Sequence, residues 1–199
     1  MTKNNGIILT RSLADMLIIV CFLVFLSGFR HLIRQAGPMY EWLATLIFGA
    51  GLAFGILTLV GDALAGGAAL DTVGGSAEPV AVRALWEGSV LIFGAIGLIT
   101  MALFLASSGY AILATRALPR WTGWLALAGG VASLLAVPAI YGGANATGFD
   151  TADGLVSLVS ELPFLVWALA TSILMIARRE AKSGLAVIAA EPEPTAILP

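Results

Sequence analysis

Apolar runs long enough to cross a bilayer recur along this chain. They cover residues 13–33, 42–64, 85–113, 121–141 and 155–177. A transmembrane helix needs about 20 mostly apolar residues to span ~30 Å of hydrocarbon. In lipid, a single segment satisfies its own backbone N–H and C=O groups only as a helix. The sequence therefore predicts an all-α, polytopic bundle of five transmembrane helices.

Composition agrees with a chain whose outer solvent is lipid. Of its 199 residues, 59% are hydrophobic and 11% are charged, and the mean hydropathy is +0.98. A soluble domain carries about 25% charged residues, because water must wet its surface. The net charge of −2, without a basic cluster, argues against nucleic acid as a partner. We expect the lipid bilayer to be the principal partner.

Charged residues alternate in sign between successive connections. The basic ones follow the first, third and fifth segments: Arg30, Arg34, Arg116, Arg120, Arg178, Arg179 and Lys182. The other two connections are mainly acidic: Asp71, Glu78, Asp150 and Asp153. By the positive-inside rule, the basic side is cytoplasmic. This pattern predicts an inner (plasma) membrane protein with its bundle in residues 1–180 and a disordered cytoplasmic tail over 181–199.

The N-terminal segment conflicts with this orientation. Five crossings with a cytoplasmic C-terminus place the N-terminus outside, yet Lys3 and Arg11 precede the first apolar run. That run has a clean apolar core of only 14 residues, from Met16 to Phe29. Either the first helix inserts against its charge, or it does not fully span, or an upstream helix is missing.

The stretch "RALPRWTGW", residues 116–124, is one of the few places where the chain becomes polar. Arg116 and Arg120 suit the cytoplasmic headgroup region. Trp121 and Trp124 suit the interface, where indole rings are enriched. We interpret these four residues as interfacial anchors.

Four carboxylates in the apolar segments or at their ends are the candidate functional residues: Asp15, Asp62, Glu87 and Glu161. Ionisable groups in a membrane are costly and by default suggest function. Asp62, Glu87 and Glu161 all approach the external half of the bundle, and together they suggest an ion or proton site. The alternative is that they snorkel, pair with Arg83 or cap helix ends. Glu161 is the strongest candidate, because it lies two residues before Pro163.

Prolines and small residues predict the shape of the bundle. Pro138 and Pro163 are expected to kink their helices. Small residues spaced four apart allow close helix packing, and two such pairs occur: Gly51 with Gly55, and Ala126 with Gly130. They predict a compact bundle, with a homodimer or a contact to another membrane protein as further uses of these faces.

Catalytic and metal-binding signatures are missing from the sequence. There is no G-x-S-x-G, H-E-x-x-H, Walker or C-x-x-C motif. Cys21 is the only cysteine and His31 the only histidine. We therefore predict no catalytic residue, no metal and no cofactor, and a non-enzymatic role is favoured.

Four segments resemble a known group of proteins: "FLVFLSGFRHLIRQAG", "EWLATLIFGAGLAFGILTLVGDALA", "RALWEGSVLIFGA" and "LATRALPRWTGWLALAGGVASLLAV". They are similar to multi-pass bacterial membrane proteins of an actinobacterial type whose function is unknown. The resemblance covers most of residues 16–140 and implies no activity. It implies a six-helix family, in which a further upstream helix would put the N-terminus inside.

Three functions follow as hypotheses. The first is a non-enzymatic accessory or stress-related membrane component that acts through helix contacts. The alternative is a small transporter or channel that uses an intramembrane carboxylate, with Glu161 as the leading residue. An intramembrane lipid-modifying enzyme is a weaker third hypothesis.

Overall fold

A computed structural model describes residues 5–73, 78–143 and 155–190, and these residues form helices without a strand. The α-helices are α1 (Asn5–Arg34), α2 (Glu41–Val73), α3 (Pro79–Leu91), α4 (Gly97–Thr115), α5 (Arg120–Ala136) and α6 (Leu155–Ala190). A π-helical turn, Ile92–Ile96, joins α3 to α4. Short 3-10 turns occupy Pro38–Tyr40 and Val137–Gly142.

Five helical segments of the described chain are long and apolar enough to cross a membrane. They are Gly6–Arg34, Pro38–Leu70, Pro79–Thr115, Arg120–Gly142 and Glu161–Arg178. The predicted all-α bundle with five candidate transmembrane helices is thereby confirmed. The first segment has 29 residues, which is about 43 Å of helix. Its length is therefore sufficient for a full crossing.

The outer faces of the helices carry large apolar side chains. Leu17, Val24, Leu135 and Leu169 are 71%, 71%, 75% and 65% exposed, and many other aliphatic residues are similar. A soluble protein rarely exposes apolar surface so continuously. These faces are therefore suited to lipid contact.

Helices α3 and α4 form one crossing through the π-helical turn, and successive crossings pack side by side in opposite directions. Helix α1 packs along α2, α2 along α3 and α4, α4 along α5, and α5 along α6. An ion pair closes the first turn, where Arg34 Nε lies 2.5 Å from a Glu41 carboxylate oxygen. At the same end of the bundle, Arg178 of α6 donates a hydrogen bond to the carbonyl of Ala117, after α4.

An aromatic cluster fills the centre between α1, α4 and α6. The Trp167 indole is fully buried and meets Phe25, Phe29 and Phe104 edge to face, with ring centroids 5.6–5.9 Å apart. Phe22 meets Phe104 and Phe164 in the same way, at 5.6 and 5.9 Å. These contacts fix α1 opposite α6, although the two backbones are not close neighbours.

Small residues lie where helices approach each other. A Cβ added at Gly51 would lie 2.5 Å from a Leu26 methyl carbon of α1, and one at Gly130 would lie 3.3 Å from the Ala102 carbonyl oxygen of α4. Gly55 lies against Ile19, and Ala126 is fully buried. The predicted packing residues therefore face other helices of the same chain.

The turn between α4 and α5 contains the predicted anchors. Arg116 ends α4 in the left-handed conformation (φ 51°), and Pro119 directly precedes α5. Trp121 and Trp124 are 52% and 64% exposed. Arg116 and Arg120 are exposed too, whereas Ala117 and Leu118 in the same turn are buried.

Some boundaries differ from the sequence-based expectation. The second segment, predicted over residues 42–64, continues as a helix to Val73. Helix α6 continues to Ala190, past residue 181, where the predicted tail begins. Pro138 lies in the 3-10 turn that follows α5, so α5 ends there rather than continuing through a kink. Pro163 lies inside α6. The loop at 144–154 and the tail at 191–199 fall outside the described residues.

Candidate functional site

The most deeply buried carboxyl group of the described chain belongs to Asp62. The residue lies on α2, is 2% exposed, and its Oδ2 has no hydrogen-bond partner among the described residues. Leaving a buried polar atom unsatisfied costs about 1–3 kcal/mol, and more for a charged group. A group retained at that cost suggests a functional role.

Asp62 faces a pair of charged residues on α1. Its carboxyl group is in hydrogen-bonding contact with that of Asp15, and the charge of Arg11 also acts on it. Arg11 Nε lies 3.5 Å from Asp15 Oδ2, and the Asp15 side chain is only 25% exposed. Asp15 and Asp62 are referred to below as the carboxyl pair.

A hydrogen bond between two carboxyl groups needs one proton, because two ionised carboxylates can only accept. With the proton, the carboxyl pair carries one negative charge, which Arg11 balances. Without it, two like charges face each other in a poorly solvated place. The singly protonated pair and the fully ionised pair therefore differ by one proton and one unit of charge.

The break between α3 and α4 lies next to the carboxyl pair. Gly94 leaves the helical conformation with ψ −114°, inside the π-helical turn Ile92–Ile96. The ring of Phe93 from this turn packs on α2, where a Cβ added at Gly61 would come within 2.8 Å of it. The Arg11 guanidinium group lies over the Phe93 ring, 5.6 Å from its centre. Such π-bulges are frequent at functional sites.

The depth of the site follows from helix geometry. Asp15 is 18 residues from Ile33, about 27 Å along α1, and Asp62 is 20 residues from Trp42, about 30 Å along α2. Ile33 and Trp42 mark the opposite, arginine-rich end of the bundle. The carboxyl pair therefore lies at the far edge of a hydrocarbon layer of about 30 Å.

Glu161 approaches the same region from α6. It lines a cavity together with Arg11 and Asp15. Two residues on, Pro163 packs against α5, where a Cβ added at Gly129 would lie 3.3 Å from the proline Cβ. Because Gly129 has no side chain, Pro163 can pack closely against α5.

Glu87 lies elsewhere. Its Oε1 accepts a 2.7 Å hydrogen bond from Arg83 Nε, one turn earlier on α3, and both side chains are at least half exposed. It is absent from the cavity lining. Of the three carboxylates predicted to form the site, Asp62 contacts Asp15 and Glu161 lines the same cavity as Asp15. Glu87 forms the surface ion pair with Arg83 that the alternative interpretation described.

Arg11 was not predicted as a site residue, because in the sequence it only conflicted with the predicted orientation. Asp15 was among the candidate carboxylates but was not grouped with the predicted site. The spacing of four residues between Arg11 and Asp15 on a helix is the available signal, since it brings opposite charges together on one face. The pairing also offsets the charge that made Arg11 unfavourable at this end of α1.

In the part of the chain that the structure describes, no group of three His, Cys, Asp or Glu side chains is placed to hold a metal ion. His31 lies at the arginine-rich end and shares a 2.9 Å hydrogen bond with Gln35. Comparison of the chain with protein-family models, curated proteins and solved structures gives no match.

Proposed function

We propose that this membrane protein is a small transporter that takes up and releases a proton at the carboxyl pair. The observation that carries the proposal is the buried contact between Asp15 and Asp62, where a single proton decides whether the two side chains attract or repel each other. Glu161 is retained as a second acidic group of the site, at the edge of the cavity.

The position of the contact between Asp15 and Asp62 supports a role in conformational change rather than a fixed structural role. The carboxyl pair joins α1 to α2, and the Phe93 ring of the π-helical turn packs beside it. A change in the charge of the pair therefore acts on three helical segments at once. Discontinuous helices near buried charges are a recurring feature of transporters, because the interrupted backbone allows local rearrangement.

The accessory role has less support from the same contacts. That hypothesis relied on small-residue faces available to a partner. Leu26 and Ile19 of α1 lie on the face of Gly51 and Gly55, and α4 lies on the face of Gly130. These faces are used within the chain, which removes the main feature that pointed to a partner helix.

A pH jump on reconstituted protein tests the proposal. Proteoliposomes adsorbed on a solid-supported electrode report transient charge movement when the external pH changes, without any transported solute. We expect a transient current for the wild type that is lost in Asp62→Asn and in Asp15→Asn. Glu78→Gln is the matched control, because Glu78 is an exposed carboxylate at the same end of the bundle, and it should retain the current.

The amide variants keep the shape of the side chains, and circular dichroism and gel filtration establish that they fold. A wild type without a transient current would overturn the proposal. Equal currents in the wild type and in a folded Asp62→Asn variant would overturn it as well.

A further inference from the structure

A lateral groove runs between α1 and α6, with a volume of about 520 Å³. Its walls are residues 11–25 of α1 and 161–172 of α6, and its floor comes from α2, the π-helical turn and the start of α4. Pockets for drug-sized ligands usually measure about 300–1,000 Å³. From Asp15 to Phe25 the groove extends about 15 Å along the helix axis.

The groove is open toward the bilayer. Ile18 on one wall and Leu165 and Leu169 on the other are all more than half exposed. Helices α1 and α6 touch through aromatic side chains beneath the groove rather than along their backbones. A ligand dissolved in the lipid therefore reaches the groove from the side.

Aromatic rings form much of the interior. Phe22, Phe25, Phe54, Phe93 and Phe164 line the groove. The negative faces of such rings attract cations, by about 0.5–2 kcal/mol for each contact. The lining thus suits a ligand that is both apolar and positively charged.

The polar end of the groove is acidic. Arg11 is the only basic side chain among the described lining residues, whereas Asp15 and Glu161 line the groove. Asp62 contacts Asp15. Arg11 is already engaged, with Asp15 at 3.5 Å and Phe93 at 5.6 Å. When Asp15 and Asp62 are both ionised, they carry one negative charge more than Arg11 balances, and a bound cation would neutralise it.

We propose that the groove binds a lipophilic monovalent organic cation, whose charge lies at the carboxyl pair and whose apolar body lies against the phenylalanine rings. This inference rests on the proposed function and names the class of its solute. Binding converts the protonated pair to two carboxylates. The released proton passes to water at the near end of the bundle, so one cation exchanges for one proton.

Equilibrium binding of tetraphenylphosphonium to the purified protein in detergent tests the inference. Tetraphenylborate is the control ligand, because it has the same shape and the opposite charge. We expect the cation to bind at least about tenfold more tightly, a difference of about 1.4 kcal/mol. Asp62→Asn and Asp15→Asn should weaken cation binding by a similar factor, and Glu78→Gln should leave it unchanged.

Two further measurements separate this outcome from a folding defect. Arg11→Gln removes the repulsive charge, so it should strengthen cation binding, a direction that misfolding does not produce. Cys21 is the only cysteine and lines the groove. Bound tetraphenylphosphonium should therefore slow its alkylation by N-ethylmaleimide.

Equal affinity for the two tetraphenyl ions would overturn the inference and indicate an apolar groove for lipid chains. Unchanged cation affinity in both aspartate variants, or weaker binding in Arg11→Gln, would overturn it too. The pH-jump current uses no organic cation, so it can survive any of these results. Loss of that current with intact cation binding would instead overturn the proposed proton exchange.

Discussion

Asp62 of α2 meets Asp15 of α1 at a place where Asp62 is almost completely buried and Arg11 is the nearby positive charge. The contact joins two helices through groups that are unfavourable in an apolar bundle. The contact stabilises the bundle only while the charges are balanced. We therefore expect that these residues lower the stability of the folded protein and are retained for its function.

Asp62→Asn should therefore raise the stability of the folded protein. The amide has the shape of the carboxyl group, carries no charge, and its NH₂ can donate to Asp15. We expect the free energy of unfolding to increase by about 1 kcal/mol, the size of one net hydrogen bond. Thermal unfolding followed by fluorescence-detected gel filtration measures it, with Glu78→Gln as a neutral control. A lower unfolding midpoint for Asp62→Asn would contradict the prediction.

Gly109→Ala should destabilise the contact between α4 and α5. A Cβ at Gly109 would lie 2.7 Å from the Gly123 carbonyl oxygen and 2.9 Å from Leu127 Cγ. Overpacking of this kind costs about 1–3 kcal/mol. Gly49→Ala is the matched control, since nothing lies within 4 Å of a Cβ there, and the higher helix propensity of alanine should make it neutral or stabilising. Equal unfolding midpoints for the two variants would count against the packing described.

Trp167→Ala should be more destabilising than Trp167→Phe or Trp124→Ala. The indole is fully buried between three phenylalanine rings, and removing such a side chain costs about 3–5 kcal/mol. Trp167→Phe should cost less, because the buried Nε1 has no hydrogen-bond partner among the described residues. Trp124→Ala is the control, with an exposed indole. Comparable losses at positions 124 and 167 in denaturant titrations would disprove the assignment of the core.

Single cysteines in a Cys21→Ser background should report the orientation. Glu78→Cys and Arg120→Cys replace exposed residues at opposite ends of the bundle. By the positive-inside rule, a membrane-impermeant maleimide should label Glu78→Cys on intact cells and Arg120→Cys only after permeabilisation. The reverse pattern would invert the orientation, and labelling of both on intact cells would argue against an odd number of crossings between them.

Much of the architecture can be read from the sequence. Each segment satisfies the length and hydropathy conditions for a crossing on its own, so the number and type of helices follow without knowledge of their contacts. The turn at Arg116–Pro119 is also local, since the prolyl ring and flanking charges mark it directly. Asp62 and Glu161 are identifiable for the same reason, because a carboxylate in an apolar run stands out.

The residues that these carboxylates contact cannot be predicted from the sequence in the same way. In a soluble helix, the apolar stripe shows which face turns inward. Here both faces are apolar, so periodicity does not tell a lipid-facing residue such as Leu17 from a buried one such as Leu26. The break in the helix at Gly94 has no proline beside it, so the sequence does not indicate it either.

By itself, the sequence determined that this chain forms five apolar helices with a basic and an acidic side, because hydropathy and charge act on each segment separately. The tertiary structure decided that Asp62 meets Asp15 rather than Glu87, and that α1 and α6 leave a groove between them. Those outcomes depend on how the helices rotate about their axes, which is set by close packing such as Leu26 on Gly51 and not by any segment alone.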